Sequence, residues 1–239
     1  MVAAAPHVWV TRAEPGAAAT AARLHERGWT PLVAPLLAVR RLNAPLELEG
    51  VGAVAFTSAN AVSAAPPELA AADLPVFAVG DATAAAAREA GFSRVESARG
   101  DATALAALVR RRRPDFAGDV LHPRASEPTV DLAELLGGEV RVRPLVVYET
   151  VAVPLPAEAA ETWSGLAAVL LHSPKAARAL TAQTRGWPEG PAVLCLSAAV
   201  AGALAGSGPR VFVADRPDET ALLNLLDVRG RRGDGRTEP

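Results

Sequence analysis

The second half of this chain repeats the first. Val54-Ala55-Phe56-Thr57-Ser58-Ala59-Asn60-Ala61 aligns with Val169-Leu170-Leu171-His172-Ser173-Pro174-Lys175-Ala176. The apolar run from Val76 and the alanine-rich stretch after Gly80 align with the run from Val193 and the stretch after Ser197. Gly91–Val95 then matches Ser207–Val211, and Asp101–Leu105 matches Asp218–Leu222. Upstream, Val10-Thr11-Arg12-Ala13 matches His122-Pro123-Arg124-Ala125, and Pro35-Leu36 matches Pro144-Leu145. The six matches are collinear, and their separations drift only between 109 and 117 residues. With 54 alanines in the chain any one match is cheap, but an ordered series implies two similar units.

Each unit reads as short β-rich runs alternating with Ala/Leu-rich helical ones, the pattern of βαβ units and parallel sheets. His7–Val10, Val51–Phe56 and Val76–Val79 read as strands. Helices are expected from about Gly16 to Arg27, closed by Gly28, and from Gly80-Asp81 to Ala90, closed by Gly91. Asp101 or Thr103 caps a helix that carries Arg110-Arg111-Arg112-Arg113 at its C-terminal end, where cations suit the helix dipole, and Pro114 stops it. The repeat leaves open which strands belong to which unit. Pro35–Leu42 and Pro144–Val153 occupy equivalent positions and are both extended. They are candidates for an antiparallel two-stranded connector through which the chain leaves one domain and returns, making that domain discontinuous.

Composition narrows the function classes. Half of the 239 residues are hydrophobic, 21% are charged and the net charge is −2, so the chain supports a real core and is not disordered as a whole. Basic residues are 23 arginines against one lysine, Lys175, which with the balanced charge reads as codon bias, not as a nucleic-acid signature. No apolar run is long enough for a membrane span, and the start has no leader pattern, so a soluble, cytoplasmic protein is expected. A lone Cys195 excludes an intramolecular disulfide framework and reads as a small buried hydrophobe. The four histidines lack metal-ligand spacing, and neither a P-loop, a GxGxxG turn nor a GxSxG elbow is present. No metal and no cofactor are expected. The tail 229–239, rich in Gly and Arg, is read as disordered.

Chemistry is left to the strand-to-helix turns. Thr57-Ser58-Ala59-Asn60, Gly80-Asp81-Ala82-Thr83 and His172-Ser173-Pro174-Lys175 carry small hydroxyls where free helix N–H groups receive anions. Each is also an ordinary helix cap, but two equivalent turns suggest an anion-binding cleft. Arg12 and Arg124, at equivalent strand ends, are candidates for pairing with carboxylates. Tyr148, the only tyrosine, either packs beside its valines or donates a proton to a ligand.

In order, these motifs resemble the uroporphyrinogen-III synthase family from about Val8 to Leu226. The resemblance rests on Thr11-Arg12 after the opening strand, the Pro35 strand, Phe56-Thr57-Ser58-Ala59-Asn60-Ala61-Val62, Val79-Gly80-Asp81-Ala82-Thr83-Ala84 and Val147-Tyr148-Glu149-Thr150. It implies two flavodoxin-like α/β domains joined by an antiparallel connector: 1–34 with 154–228 as a discontinuous first domain, 35–42 and 144–153 as connector, and 43–143 as the second. It also implies a cleft that closes on hydroxymethylbilane, a linear tetrapyrrole with four acetate and four propionate groups, and ring closure with loss of water and inversion of the last ring. Tyr148 would assist departure of the hydroxyl. Arg12, Ser58, Asn60, Thr83, Arg124, Ser173, Lys175 and Ser197 would bind substrate. The sequence departs from the family pattern at His172, where a threonine is usual, and at Ser197 and Val200, where Gly and Thr are usual; the turn at Ser197 is therefore assigned backbone N–H contact. A monomer is expected, with transient contact to the preceding pathway enzyme as its one protein partner, and with neither nucleic acid nor membrane as a partner. A non-catalytic two-domain module binding a small anion is the alternative.

Overall fold

The computed structural model describes residues 7–14, 16–155, 157–184, 190–204 and 210–233. The chain begins with β1 (His7–Val10), α1 (Gly16–Glu26), β2 (Thr30–Val33) and β3 (Leu37–Arg41). It continues with β4 (Val51–Phe56), α2 (Ala59–Ala64), α3 (Glu68–Ala71), β5 (Val76–Ala78), α4 (Asp81–Glu89), β6 (Val95–Ser97) and α5 (Ala102–Arg112). Then come β7 (Asp119–Ala125), α6 (Leu132–Leu136), β8 (Val142–Ala152), α7 (Ala157–Glu161), β9 (Leu166–Leu171) and α8 (Pro174–Gln183). The last elements are β10 (Ala192–Cys195), α9 (Ala198–Gly202), β11 (Val211–Val213) and α10 (Glu219–Gly233). The backbone of α10 thus extends into the stretch read as a disordered tail, while 234–239 lie outside the described residues.

The chain divides into a discontinuous unit 1, residues 1–38 with 151–239, and a unit 2, residues 39–150. Unit 1 holds a sheet of order β11-β10-β9-β1-β2, parallel throughout. Unit 2 holds the order β3-β8-β7-β4-β5-β6, parallel from β8 to β6. Under the sequence repeat β7 corresponds to β1, and β4, β5 and β6 correspond to β9, β10 and β11. With β8 taking the place of β2, the two sheets have one spatial order. The chain enters that order at different strands, so one unit is a circular permutation of the other.

Alternation along the buried strands assigns each unit two cores, as a parallel sheet covered on both faces requires. In unit 1, Trp9, Val169, Leu171 and Val193 pack with Ala177, Leu180 and Val200 of α8 and α9. Their neighbours Val8, Val10, Leu170 and Leu194 pack on the other side with Leu24 of α1 and Leu222, Leu223 and Leu226 of α10. Unit 2 repeats this, with Val54, Phe56, Leu121 and Val147 against α2 and α4, and Ala53, Ala55, Phe77 and Val120 against α5 and α6. Cys195 lies in the first core with no exposed surface, and burial pushes its thiol up to about 11.

The stretches 35–42 and 144–153 do lie side by side. Leu42 N–H bonds Val147 O and Val153 N–H bonds Leu36 O, an antiparallel relation. Yet 144–153 is not only a connector. It belongs to an eleven-residue strand whose earlier part pairs in parallel with β7, from Val120↔Val142 to Ala125↔Tyr148. Tyr148 therefore stands within unit 2.

Candidate functional site

In an open parallel sheet a crevice forms outside the carboxyl ends of two adjacent strands whose following connections run in opposite directions. In unit 2 those strands are β4 and β7; in unit 1 they are β9 and β1. Val54 lies opposite Leu121 and Val10 opposite Leu170. Counting on along each pair brings Thr57 level with Arg124 and His172 level with Arg12, so pairing geometry places the expected residues at both switch points.

At the unit 2 switch point a pocket of about 320 Å³ is lined by Thr57, Ser58, Ala102, Arg124, Glu127, Thr129, Tyr148 and Thr150, among others. Ser58 is the N-cap of α2: its Oγ accepts from Ala61 N–H at 3.1 Å. The same oxygen is 3.2 Å from Tyr148 Oη, and either hydroxyl can donate. Tyr148 is 9% exposed and belongs to the same hydrophobic cluster as Phe56 and Val147, so the core holds a residue that also lines the pocket. Arg124 Nε is buried and has no hydrogen-bond partner among the described residues.

Behind the turn, Thr57 Oγ1 is 3.1 Å from Nε2 of His122, which is 2% exposed. Burial, reinforced by the Arg124 charge and opposed by Asp131, pushes the His122 imidazole down to about 4. It is therefore neutral at pH 7, with one ring nitrogen donating and the other accepting. Asn60 and Thr83 do not line the pocket. Asn60 is half-buried in the first turn of α2, and Thr83 is buried in α4.

Unit 1 is built differently at its switch point. Ser173 caps α8, its Oγ accepting from Ala176 N–H at 3.2 Å, with Pro174 following at a helix start that needs no N–H and Lys175 in the first turn. Ser197 precedes α9 and makes no side-chain cap bond. Glu219, the first residue of α10, gathers the rest. Its Oε1 accepts from Thr20 Oγ1 at 2.6 Å, while Oε2 lies 3.2 Å from Arg12 Nη1 and 3.0 Å from His172 Nε2. Burial pushes the Glu219 carboxyl up, but the bonds from His172 and Thr20 and the charges of His172 and Arg12 prevail and hold it at about 2. His172 Nδ1 is buried with no hydrogen-bond partner among the described residues.

Thr57, His122, His172, Thr20 and Glu219 were not chosen from the sequence as functional residues. The hydroxyl pattern contained Thr57, and the departure from the family pattern marked His172. His122 had only the absence of metal spacing against it. Nothing local flags Glu219, whose partner Arg12 is 207 residues away.

Among the described residues no group of three or more His, Cys, Asp or Glu is arranged to hold a metal ion, and no helix is long and apolar enough to cross a membrane. The arrangement can bind anions and pass a proton between hydroxyls.

Comparison with solved structures finds the uroporphyrinogen-III synthetase of Helicobacter pylori at 20% identity and a TM-score of 0.65, covering 95% of this chain and all of that one. A mutant uroporphyrinogen III synthase of the extreme thermophile Thermus thermophilus is 18% identical with a TM-score of 0.48, covering 96% of this chain and all of that one. The first likeness supports the fold. No curated protein matches the chain significantly. The family model described as uroporphyrinogen-III synthase HemD matches residues 18–224. A match over most of the chain, on a fold with two parallel α/β sheets of one order, places this protein in the uroporphyrinogen-III synthase family.

Proposed function

We propose that the chain is an active uroporphyrinogen-III synthase, a lyase that closes hydroxymethylbilane into uroporphyrinogen III with loss of water. The observation that carries this reading, beyond family membership, is the Ser58–Tyr148 hydroxyl pair in a polar pocket beside Arg124.

The substrate supplies most of the driving force. Its terminal hydroxyl leaves with the proton donated by Tyr148 Oη, giving water and an azafulvene-type cation stabilised by the pyrrole nitrogen. The substituted carbon of the far ring attacks that cation to form a spiro intermediate. Fragmentation and reclosure at the unsubstituted carbon invert the ring, and the proton lost there restores the phenol, so the net change is the loss of one water. Ser58 orients the Tyr148 hydroxyl, and the chain holds both ends of the substrate together, an orientational contribution. Within unit 2, substrate carboxylates are received by Arg124 and by the helix start capped by Ser58.

The test is to supply freshly made hydroxymethylbilane to the full chain and separate the porphyrin isomers after oxidation. Type III product is expected. Only type I, the product of unassisted closure, would overturn the reading in favour of an anion-binding module.

A further inference from the structure

The two switch points differ at the first residue of the helix that overlooks each of them. The helix starts that overlook them are equivalent: α5 is capped by Asp101 accepting from Ala104 N–H at 2.9 Å, and α10 by Asp218 accepting from Ala221 N–H at 2.8 Å. The next residue is Ala102 in unit 2 and Glu219 in unit 1. In unit 1 the Glu219 carboxylate meets Arg12, His172 and Thr20. In unit 2 the residue equivalent to Arg12 is Arg124, whose buried Nε has no hydrogen-bond partner among the described residues and which lines, with Ala102, a pocket of about 320 Å³.

We infer that Glu219 is a built-in occupant of the anion site of unit 1, and that the equivalent site of unit 2, opened by Ala102, takes one carboxylate of the ligand on Arg124. The duplicated fold is then used asymmetrically. Arg12 is a positioning residue, neutralised within its own unit, whereas Arg124 touches ligand. Thr57, Ser58, Thr129 and Thr150 supply hydroxyls to the same lining. Because Glu127 also lines it, an incoming carboxylate is received by directed donors and not by net charge. The proposed synthase function enters only in identifying that carboxylate as an acetate or propionate arm of the substrate.

Acetate is the probe, titrated at pH 7 and constant ionic strength. In the wild-type chain the Arg124 Nε–H resonance moves with acetate; in Ala102→Glu the affinity falls at least tenfold, and in Ala102→Gln it does not. Arg124→Gln, followed by thermal unfolding, loses the acetate response and serves if Ala102→Glu does not fold. Glu219→Ala unfolds at lower temperature than wild type, and acetate restores part of the loss, because the free anion takes the vacated place. An Arg124 resonance indifferent to acetate, equal affinities in wild type and Ala102→Glu, or no acetate rescue of Glu219→Ala beyond the wild-type response would each overturn the inference. Type I product with the acetate pattern intact would leave the inference standing and remove the synthase reading. Type III product without the acetate pattern would do the reverse.

Discussion

His122 lies directly behind the pocket turn, its Nε2 3.1 Å from Thr57 Oγ1. A buried neutral imidazole there makes the fold sensitive to mild acid. With the folded value near 4 and the ordinary value 6.5, the unfolded chain binds the proton more readily. The stabilisation is complete above about 6.5 and is lost as pH falls towards 4, on the order of 3 kcal/mol in all. Denaturant titrations from pH 7.5 to 4 are expected to show this fall in wild type and a flatter profile in His122→Asn.

Glu219 acts in a lower window. A carboxyl held at about 2 against its ordinary 4.5 contributes stability above about 4.5, lost as pH falls towards 2. Glu219→Gln is expected to cost about 2 kcal/mol at pH 7, because Arg12 and Thr20 keep only a neutral acceptor. It should also remove the pH dependence of that window, which urea midpoints read directly. Thr20→Val, which removes one of the bonds, is expected to cost less.

Ser58 and Tyr148 share a hydrogen bond but differ in what else they hold. Ser58→Ala removes the cap of α2 and is expected to lower stability by about 1 kcal/mol as well as slowing turnover. Tyr148→Phe is expected to reduce kcat by about tenfold or less with little change in KM, since the substrate's own electrons carry the rearrangement. Unchanged kcat at saturating substrate would remove Tyr148 from the acid role.

Gly52 fixes how β4 begins. A Cβ there would stand 1.6 Å from the carbonyl oxygen of Ala117, a backbone atom that cannot swing aside. Gly52→Ala is expected to cost several kcal/mol, measurable as a drop in the thermal midpoint.

Much of this architecture was legible in local chemistry. Asp101, Ser58 and Ser173 cap the helices that their sequence patterns indicate, and Gly28 and Gly91 take positive φ just past the ends of α1 and α4. These are contacts within a few residues. The repeat also placed Arg12 and Arg124 at equivalent strand ends, as the strand registers confirm. Long-range pairing was not legible. Nothing in Val142–Ala152 says that one strand serves both as a sheet member beside β7 and as a partner of β3. Glu219 and Ala102 stood in matched segments, yet the difference between them acquires meaning only when Arg12 and Arg124 are seen beside them.

The central claim is best tested by the isomer ratio as a function of protein concentration at fixed hydroxymethylbilane. The account predicts that the type III fraction rises from nil without protein to nearly all product once enzymic closure outruns spontaneous closure. A ratio that stays at type I at every concentration of folded protein would contradict it.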